Sequence, residues 1–289
     1  MPEFLAAVRD YPFMQYGLAA GLLASIACGV VGSYVVARRI TYIAGSIAHC
    51  VLGGLGAARY LQVVHGWEHC TPLTGAVIAA LGSALIIGFV SLRAKQREDT
   101  VIGALWAIGM AVGVLFISRT PGYNEDLMSY LFGNILMVSQ RDLIVIAGLD
   151  ALVVGVSFAF YNELLSVCFD EEFARIRGVR VELYYLLLLC LTALTVVLLA
   201  TVVGVLMVIA LLTLPVAVAN VFAKTMGRIM VAAVILSALF TTGGIALSYG
   251  PDLPAGATII IVAGVAYICT IAAGSLKAFA RKTNRGEPP

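Results

Sequence analysis

The apolar residues of this chain fall into repeated blocks of about 20 residues, the length of α-helix that crosses a membrane's hydrocarbon core, and the charged residues lie between these blocks. Hydrophobic residues make up 61% of the 289 residues and charged residues only 12%, which excludes an ordinary soluble domain. The run from Leu186 to Leu189 is apolar on every face, so the alternating strands of a membrane barrel are excluded as well. The sequence predicts one all-α domain over residues 1–289, a polytopic bundle of membrane helices.

Nine blocks are long enough to span a membrane, although one pair is ambiguous. The segment 181–214 is either one long bent helix, which gives eight spans, or two spans that turn near Thr201. Residues 127–139 are too short to cross, so we predict a re-entrant or interfacial helix there, on the outer side. The predicted spans are residues 13–37, 41–64, 73–92, 101–118, 143–161, 181–200, 203–222, 229–249 and 257–273.

Most of the basic residues lie on one side of this predicted bundle. If the N-terminus is outside, fourteen of the eighteen Lys and Arg residues lie in loops on one side. The positive-inside rule makes that side the cytoplasm and places the C-terminal tail there, in what we expect to be a bacterial cytoplasmic (inner) membrane. A net charge of +2 gives no reason to expect a nucleic-acid partner.

His49 is the most informative single residue, because no Asp, Glu, Lys, Arg or other His lies between positions 41 and 58 of the second span. An imidazole at membrane depth is unfavourable unless it has a partner or faces a polar interior. Neutral histidine is also a frequent ligand of transition metals. His49 is therefore either a ligand on an ion path or a hydrogen-bonding residue that holds two helices together.

Two further groups are candidate metal ligands. Asp150 lies in the middle of the fifth span and either binds an ion, pairs with His49 or has a structural role. The outer loop after the second span gathers borderline and soft ligands that suit zinc or copper better than calcium, although their spacing matches no closed metal site. This loop either catches ions transiently or is simply a solvated turn. Its candidate ligands are His65, Glu68, His69 and Cys70.

Two segments on the basic side are candidates for contact with a soluble partner. Residues 169–180 alternate acidic and basic side chains in a short amphipathic pattern, which suits docking as well as plain solvation. In residues 215–228, a proline with small residues predicts a helix break followed by a short helix parallel to the membrane, which would couple the bundle to a motor. The residues proposed for this coupling are Pro215, Ala219, Asn220, Lys224 and Arg228.

No Gly-x-x-x-x-Gly-Lys-Ser/Thr loop and no hydrolase motif occurs in the chain, so we expect no enzymatic activity and no permanently bound cofactor. Any ATP hydrolysis would come from a separate subunit.

Five segments in order resemble the permease family of zinc, manganese and iron ABC importers. The likeness runs over roughly residues 13–275 and is much more specific than any single motif. The segments are RRITYIAGSIAHCVLGGLGAA (38–58), REDTVIGALWAIGMAVGVLF (97–116), DLMSYLFGNILMVSQRDL (126–143), CFDEEFARIRGV (168–179) and VGVLMVIALLTLPVAVA (203–219).

The resemblance implies a type II ABC importer permease that forms a homodimer, with cytosolic ABC ATPase subunits and an extracytoplasmic metal-binding protein as partners. It also implies that His49 lines the translocation path and that residues 215–228 contact the ATPase. Where the family often has an aspartate, one turn before this histidine, the chain has Gly45. The missing carboxylate favours zinc as substrate, followed by manganese or iron.

Three other functions stay open on sequence grounds. The first is the permease of an importer for a metal chelate, such as a siderophore or cobalamin, which would not need His49. The second is a secondary transporter in which His49 and Asp150 relay protons. The third is a membrane scaffold without transport, in which both buried polar side chains would be needless.

Overall fold

The computed structural model of the chain describes residues 2–93, 98–121, 133, 135–251 and 253–284, and all regular secondary structure in these ranges is helical. A single 3-10 turn, Ile135–Met137, lies between α5 and α6. The α-helices are α1 (Pro2–Asp10), α2 (Pro12–Arg38), α3 (Thr41–His65), α4 (Pro72–Arg93), α5 (Glu98–Arg119), α6 (Gln140–Ala159), α7 (Tyr161–Phe169), α8 (Glu171–Ile176), α9 (Val181–Val203), α10 (Val205–Phe222), α11 (Met226–Tyr249) and α12 (Ala255–Asn284).

Nine of the helices in the described ranges are long and apolar enough to cross a membrane: α2 to α6 and α9 to α12. The prediction of nine spans is confirmed, and each helix begins within three residues of its predicted start. α2 and α3 are buried over most of their length, whereas α5 and α12 lie at the periphery. α2 packs against α6, α9, α10 and α11, and α3 packs against α4 and α5.

The ambiguous segment is two helices that meet at Gly204, three residues beyond the predicted turn at Thr201. Gly204 adopts φ 88° and ψ 155°, a conformation that is essentially restricted to glycine. α10 then runs alongside α2, because Gly32 approaches Leu212 and Val36 packs near Val216. One helix therefore ends and the next begins at a single residue.

The predicted outer segment 127–139 lies largely outside the described residues, so the prediction of a re-entrant helix stays untested. Gly133 has φ 66° and packs against the α9–α10 turn at Val203. Ser139 then caps α6: its hydroxyl accepts a hydrogen bond from the Asp142 backbone N–H, and the Asp142 carboxylate accepts one from the Ser139 N–H.

The predicted helix break at Pro215 is wrong. α10 continues through Pro215 to Phe222, and only residues 223–225 separate it from α11, so there is no short interfacial helix between residues 215 and 228. A proline within a membrane helix removes one hydrogen bond but is tolerated where neighbouring helices enclose it, and Pro215 is buried.

Candidate metal site

His49 lies in the contact between α3 and α5, with 4% of its surface exposed. Its ring stacks on the indole of Trp106 from α5, with ring centroids 4.4 Å apart and an interplanar angle of 21°. The Nδ1 atom of His49 has no hydrogen-bond partner in the described part of the chain. The histidine is therefore tightly covered, yet one of its ring nitrogens is not used in a hydrogen bond within the described residues.

Glycines bring the two helices close enough for this stack. A Cβ added to Gly53 would lie 2.7 Å from the Gly109 carbonyl oxygen, and one added to Gly56 would lie 2.8 Å from that of Gly113. In a membrane, where water exclusion does not drive helices together, such close backbone contact is a main source of packing energy. The spacing of the small residues thus sets the position of His49 against α5.

Two hydrogen bonds tie α3 to α5 on either side of His49. The Ser46 hydroxyl donates to the Ile102 carbonyl oxygen at 2.8 Å. The Cys50 thiol contacts the Leu105 carbonyl oxygen at 3.3 Å. Since both acceptors are backbone atoms of α5, the two helix backbones are held in register beside the histidine.

Gly45 lies one turn before His49, and the same tryptophan fills the space next to it. A Cβ at this position would lie 3.3 Å from Cζ3 of Trp106 and 3.4 Å from Cδ1 of Ile209. The absence of a side chain at position 45 therefore makes room for the indole that stacks on His49.

Asp150 belongs to a different helix contact. It is 5% exposed, lies on α6, and sits within electrostatic range of Cys28 on α2. Its Oδ1 atom and the Nδ1 atom of His49 both lack hydrogen-bond partners, so the predicted pairing of the two residues is not formed through these atoms. Asp150 is a buried polar residue of the α2–α6 contact.

The outer-loop candidates lie on the exposed turn between α3 and α4. His65, Glu68 and His69 are exposed, and Cys70 is half-buried. Among the residues that the structure describes, no three His, Cys, Asp or Glu side chains converge as a metal site. A transient role for this loop in ion capture stays a prediction.

The residues predicted to couple the bundle to a motor divide into two groups. Pro215 and Ala219 are buried inside the bundle, so they are not available to a soluble partner in this conformation. Asn220, Lys224 and Arg228 are exposed near the α10–α11 connection. The coupling role of this segment stays a prediction.

The other segment, residues 169–180, forms the short helix α8 and its flanks. The apolar side chains of Phe169 and Ile176 are 67% and 85% exposed. An ion pair between Arg38 and Glu171 ties α8 to the end of α2. A short helix that is held by the bundle but presents apolar side chains outward is suited to contact with another protein.

Sequence reasoning missed Trp106, which makes the closest described ring contact with His49. Tryptophan in an apolar block is ordinary in a membrane helix, and α3 and α5 are separated by a whole further span. The one hint of Trp106 in the sequence was the glycine at position 45, which leaves room for a large neighbouring side chain. The sequence does not show which side chain occupies that space.

Nine helices that could span a membrane, in the described part of the chain, define a polytopic α-helical membrane protein with a buried histidine in one of its helix contacts. The chain belongs to the ABC 3 transport family, whose model matches residues 10–274. Its relatives are membrane subunits of transport systems, so the chain is a permease subunit and not itself an enzyme.

Three similar proteins illustrate this membership. The chain is 44% identical to a protein of Chlamydia muridarum named a probable metal transport system membrane protein, over 89% of this chain and 87% of that one. It is 33% identical to a manganese transport system membrane protein of Halalkalibacterium halodurans, over 91% and 88% of the two chains. The solved PsaBC structure from Streptococcus pneumoniae, in complex with Fab, matches with a TM-score of 0.82 and 27% identity, over 93% and 94%.

Proposed function

We propose that this chain is the permease of an ATP-driven importer of a divalent transition metal, and that zinc is the preferred substrate, followed by manganese or iron. The observation that carries the proposal is His49: its ring is buried in the α3–α5 contact, and its Nδ1 atom has no hydrogen-bond partner among the described residues. Similarity to a protein named as a metal transport system membrane protein supports it. An intramembrane ionisable residue of this kind is a functional candidate by default.

We prefer zinc because no carboxylate lies one turn before His49. Imidazole nitrogen suits zinc, whereas manganese favours carboxylate and carbonyl oxygens. Gly45 supplies no carboxylate, and the described residues form no group of three metal-binding side chains. A sparse site also releases an ion quickly, as a conduit must. Similar proteins that are named for manganese transport make manganese the second candidate substrate. Competition between zinc and manganese in an uptake assay distinguishes the two.

The proposal includes three protein partners and a membrane orientation. A cytosolic ABC ATPase would supply the energy, an extracytoplasmic metal-binding protein would deliver the ion, and a second copy of the chain would complete a homodimer. We place the N-terminus outside and the basic loops in the cytoplasm of a bacterial inner membrane. Exposed Phe169 and Ile176 then face the cytosol, where α8 is a better docking element for the ATPase than buried Pro215.

In this mechanism, ATP binding draws two ATPase subunits together and the motion reaches the bundle through α8. The Arg38–Glu171 ion pair transmits this motion from α8 to the end of α2. The next helix, α3, carries His49. The two permeases alternate between outward-open and inward-open arrangements, and each ion passes His49 on the way.

Uptake of radioactive zinc tests the proposal in cells that express the chain with its ATPase and binding protein. We expect His49→Ala to lower zinc uptake at least about tenfold at equal membrane abundance, because the intramembrane ligand is lost. Cys50→Ser is the matched control, since a hydroxyl keeps the hydrogen bond to the Leu105 carbonyl oxygen. Unlabelled manganese should compete more weakly than unlabelled zinc.

The rival function is the permease of a metal-chelate importer. A large chelate carries its own ligands, so it needs no imidazole in the path. Zinc uptake that is equal in wild type and in His49→Ala, or absent from an assembled wild-type transporter, would favour that rival.

A further inference from the structure

We propose that Trp106 is the gate of the His49 site: its indole covers the imidazole in the present conformation and must swing away before an ion binds. Gly45 provides the space that the indole occupies when the gate is closed. The inference rests on the proposed function, because it assumes that His49 meets the transported ion.

The geometry identifies Trp106 as the cover of His49. The indole lies over the imidazole at 4.4 Å, while the histidine keeps only 4% of its surface exposed. A divalent ion arrives with water around it, and the Nδ1 atom of His49 is itself buried, so a hydrated ion has no room beside it. One neighbour of His49 therefore has to move before coordination.

Trp106 is the neighbour that is free to move. The backbones of α3 and α5 are fixed beside His49 by the contacts of Ser46 and Cys50 with α5 carbonyl oxygens. The indole itself is only half-buried, and α5 is a peripheral helix. Its other aromatic neighbour is Tyr42, 5.6 Å away and 50% exposed. A rotation of one side chain thus uncovers His49 without separating the helices.

Position 45 controls how well the gate closes. Because an added Cβ at Gly45 would lie 3.3 Å from Trp106, even alanine crowds the closed indole. Glycine allows the full stack, whereas an alanine requires the indole to shift by a few tenths of an ångström. Glycine at position 45 thus supplies no carboxylate and at the same time leaves room for the indole of Trp106.

The stack lowers apparent zinc affinity, because zinc binds only the fraction of molecules in which the indole is displaced. An aromatic pair of this kind accounts for a factor of about three to ten in such an equilibrium. We expect Trp106→Ala to bind zinc about three- to tenfold more tightly, with Gly45→Ala changing affinity in the same direction. Trp106→Phe keeps an aromatic ring and should lie between Trp106→Ala and wild type.

Intrinsic fluorescence tests the gate directly, because the chain has only two tryptophans. Trp67 is 58% exposed in the outer loop, so a Trp67→Phe background leaves Trp106 as the sole emitter. Zinc, a d10 ion without redox chemistry, is the probe. In purified permease in lipid nanodiscs, saturating zinc should raise Trp106 emission and shift it to longer wavelength, and His49→Ala should abolish the change.

Radioactive zinc binding is measured on the same samples, with Ile108→Ala as the control, since Ile108 lies two residues away on α5 and is 60% exposed. If wild type binds zinc at His49 while Trp106 emission stays constant, or if Trp106→Ala binds no more tightly than Ile108→Ala, the gate is refuted and the proposed function stands. If His49→Ala binds as much zinc as wild type, the proposed function fails first. The emission measurement uses the native tryptophan, so it decides even where Trp106→Ala fails to assemble.

Discussion

Helices α3 and α4 cross at a pair of glycines, Gly54 and Gly75. A Cβ added to Gly75 would lie 3.0 Å from the Gly54 carbonyl carbon, and closer still to the Gly54 oxygen and the Ala58 Cβ. These are backbone and Cβ atoms, which no side-chain rotation moves aside. Gly75→Ala therefore forces the two helices apart at the centre of their contact.

The size of the effect follows from this geometry. Carbon atoms in ordinary contact are about 3.5–4.0 Å apart, so the helices must separate locally by about 1 Å. Overpacking of this kind costs about 1–3 kcal/mol, and a backbone contact belongs at the upper end of that range. The alanine recovers up to about 1 kcal/mol of helix propensity, which leaves a net loss of about 2 kcal/mol.

Gly82→Ala is the matched control, because Gly82 lies seven residues later on α4 and an added Cβ there meets nothing within 4 Å. It gains the same helix propensity without crowding, so the difference between the two variants isolates the contact. We expect Gly75→Ala to melt about 5 °C or more below Gly82→Ala, in the same detergent and at the same scan rate. Equal melting temperatures would refute the close crossing of α3 and α4.

Three other predictions follow from the same structure. Arg38→Ala and Glu171→Ala should each lower stability by at most about 1 kcal/mol, since the ion pair is partly exposed, and the double variant should lose no more than either; a thermal double-mutant cycle measures this. Burial raises the pKa of the Cys168 thiol to about 12, so about one thiol in ten thousand is ionised at pH 8, and a maleimide at that pH should label Cys70 but not Cys168 until the protein unfolds. Gly45→Asp adds an oxygen ligand and crowds the indole, so the ratio of manganese to zinc uptake should rise several-fold in dual-isotope assays.

The spans were predictable because lipid leaves a helix few alternatives. Every backbone polar group must be satisfied within its own segment, so length and hydropathy alone locate the helices. The break between α9 and α10 was harder to place: Thr201 and Gly204 are close in sequence, and only glycine readily adopts the φ of 88° found at the turn. Pro215 misled the prediction, because proline breaks a helix in water more readily than one enclosed by other helices.

The candidate site was predictable only in part. His49 stood out because an ionisable residue inside an apolar block is rare, and its ring is buried. Its place on an ion path stays a prediction. The partner of its ring was not predictable, since Trp106 lies on a helix that is distant in sequence and joins α3 through glycine contacts. Asp150 was a further ligand candidate in the sequence, and it lies in the contact between α6 and α2, near Cys28.

ATP-driven zinc transport in proteoliposomes tests the central claim most directly. The purified chain is assembled with its ATPase and binding protein, and zinc movement is recorded with and without ATP for wild type and His49→Ala. We predict ATP-dependent zinc movement by wild type and its loss in His49→Ala, while assembly and ATP hydrolysis persist. Zinc movement that is unchanged in His49→Ala, or absent from a wild-type complex that hydrolyses ATP, would contradict the account.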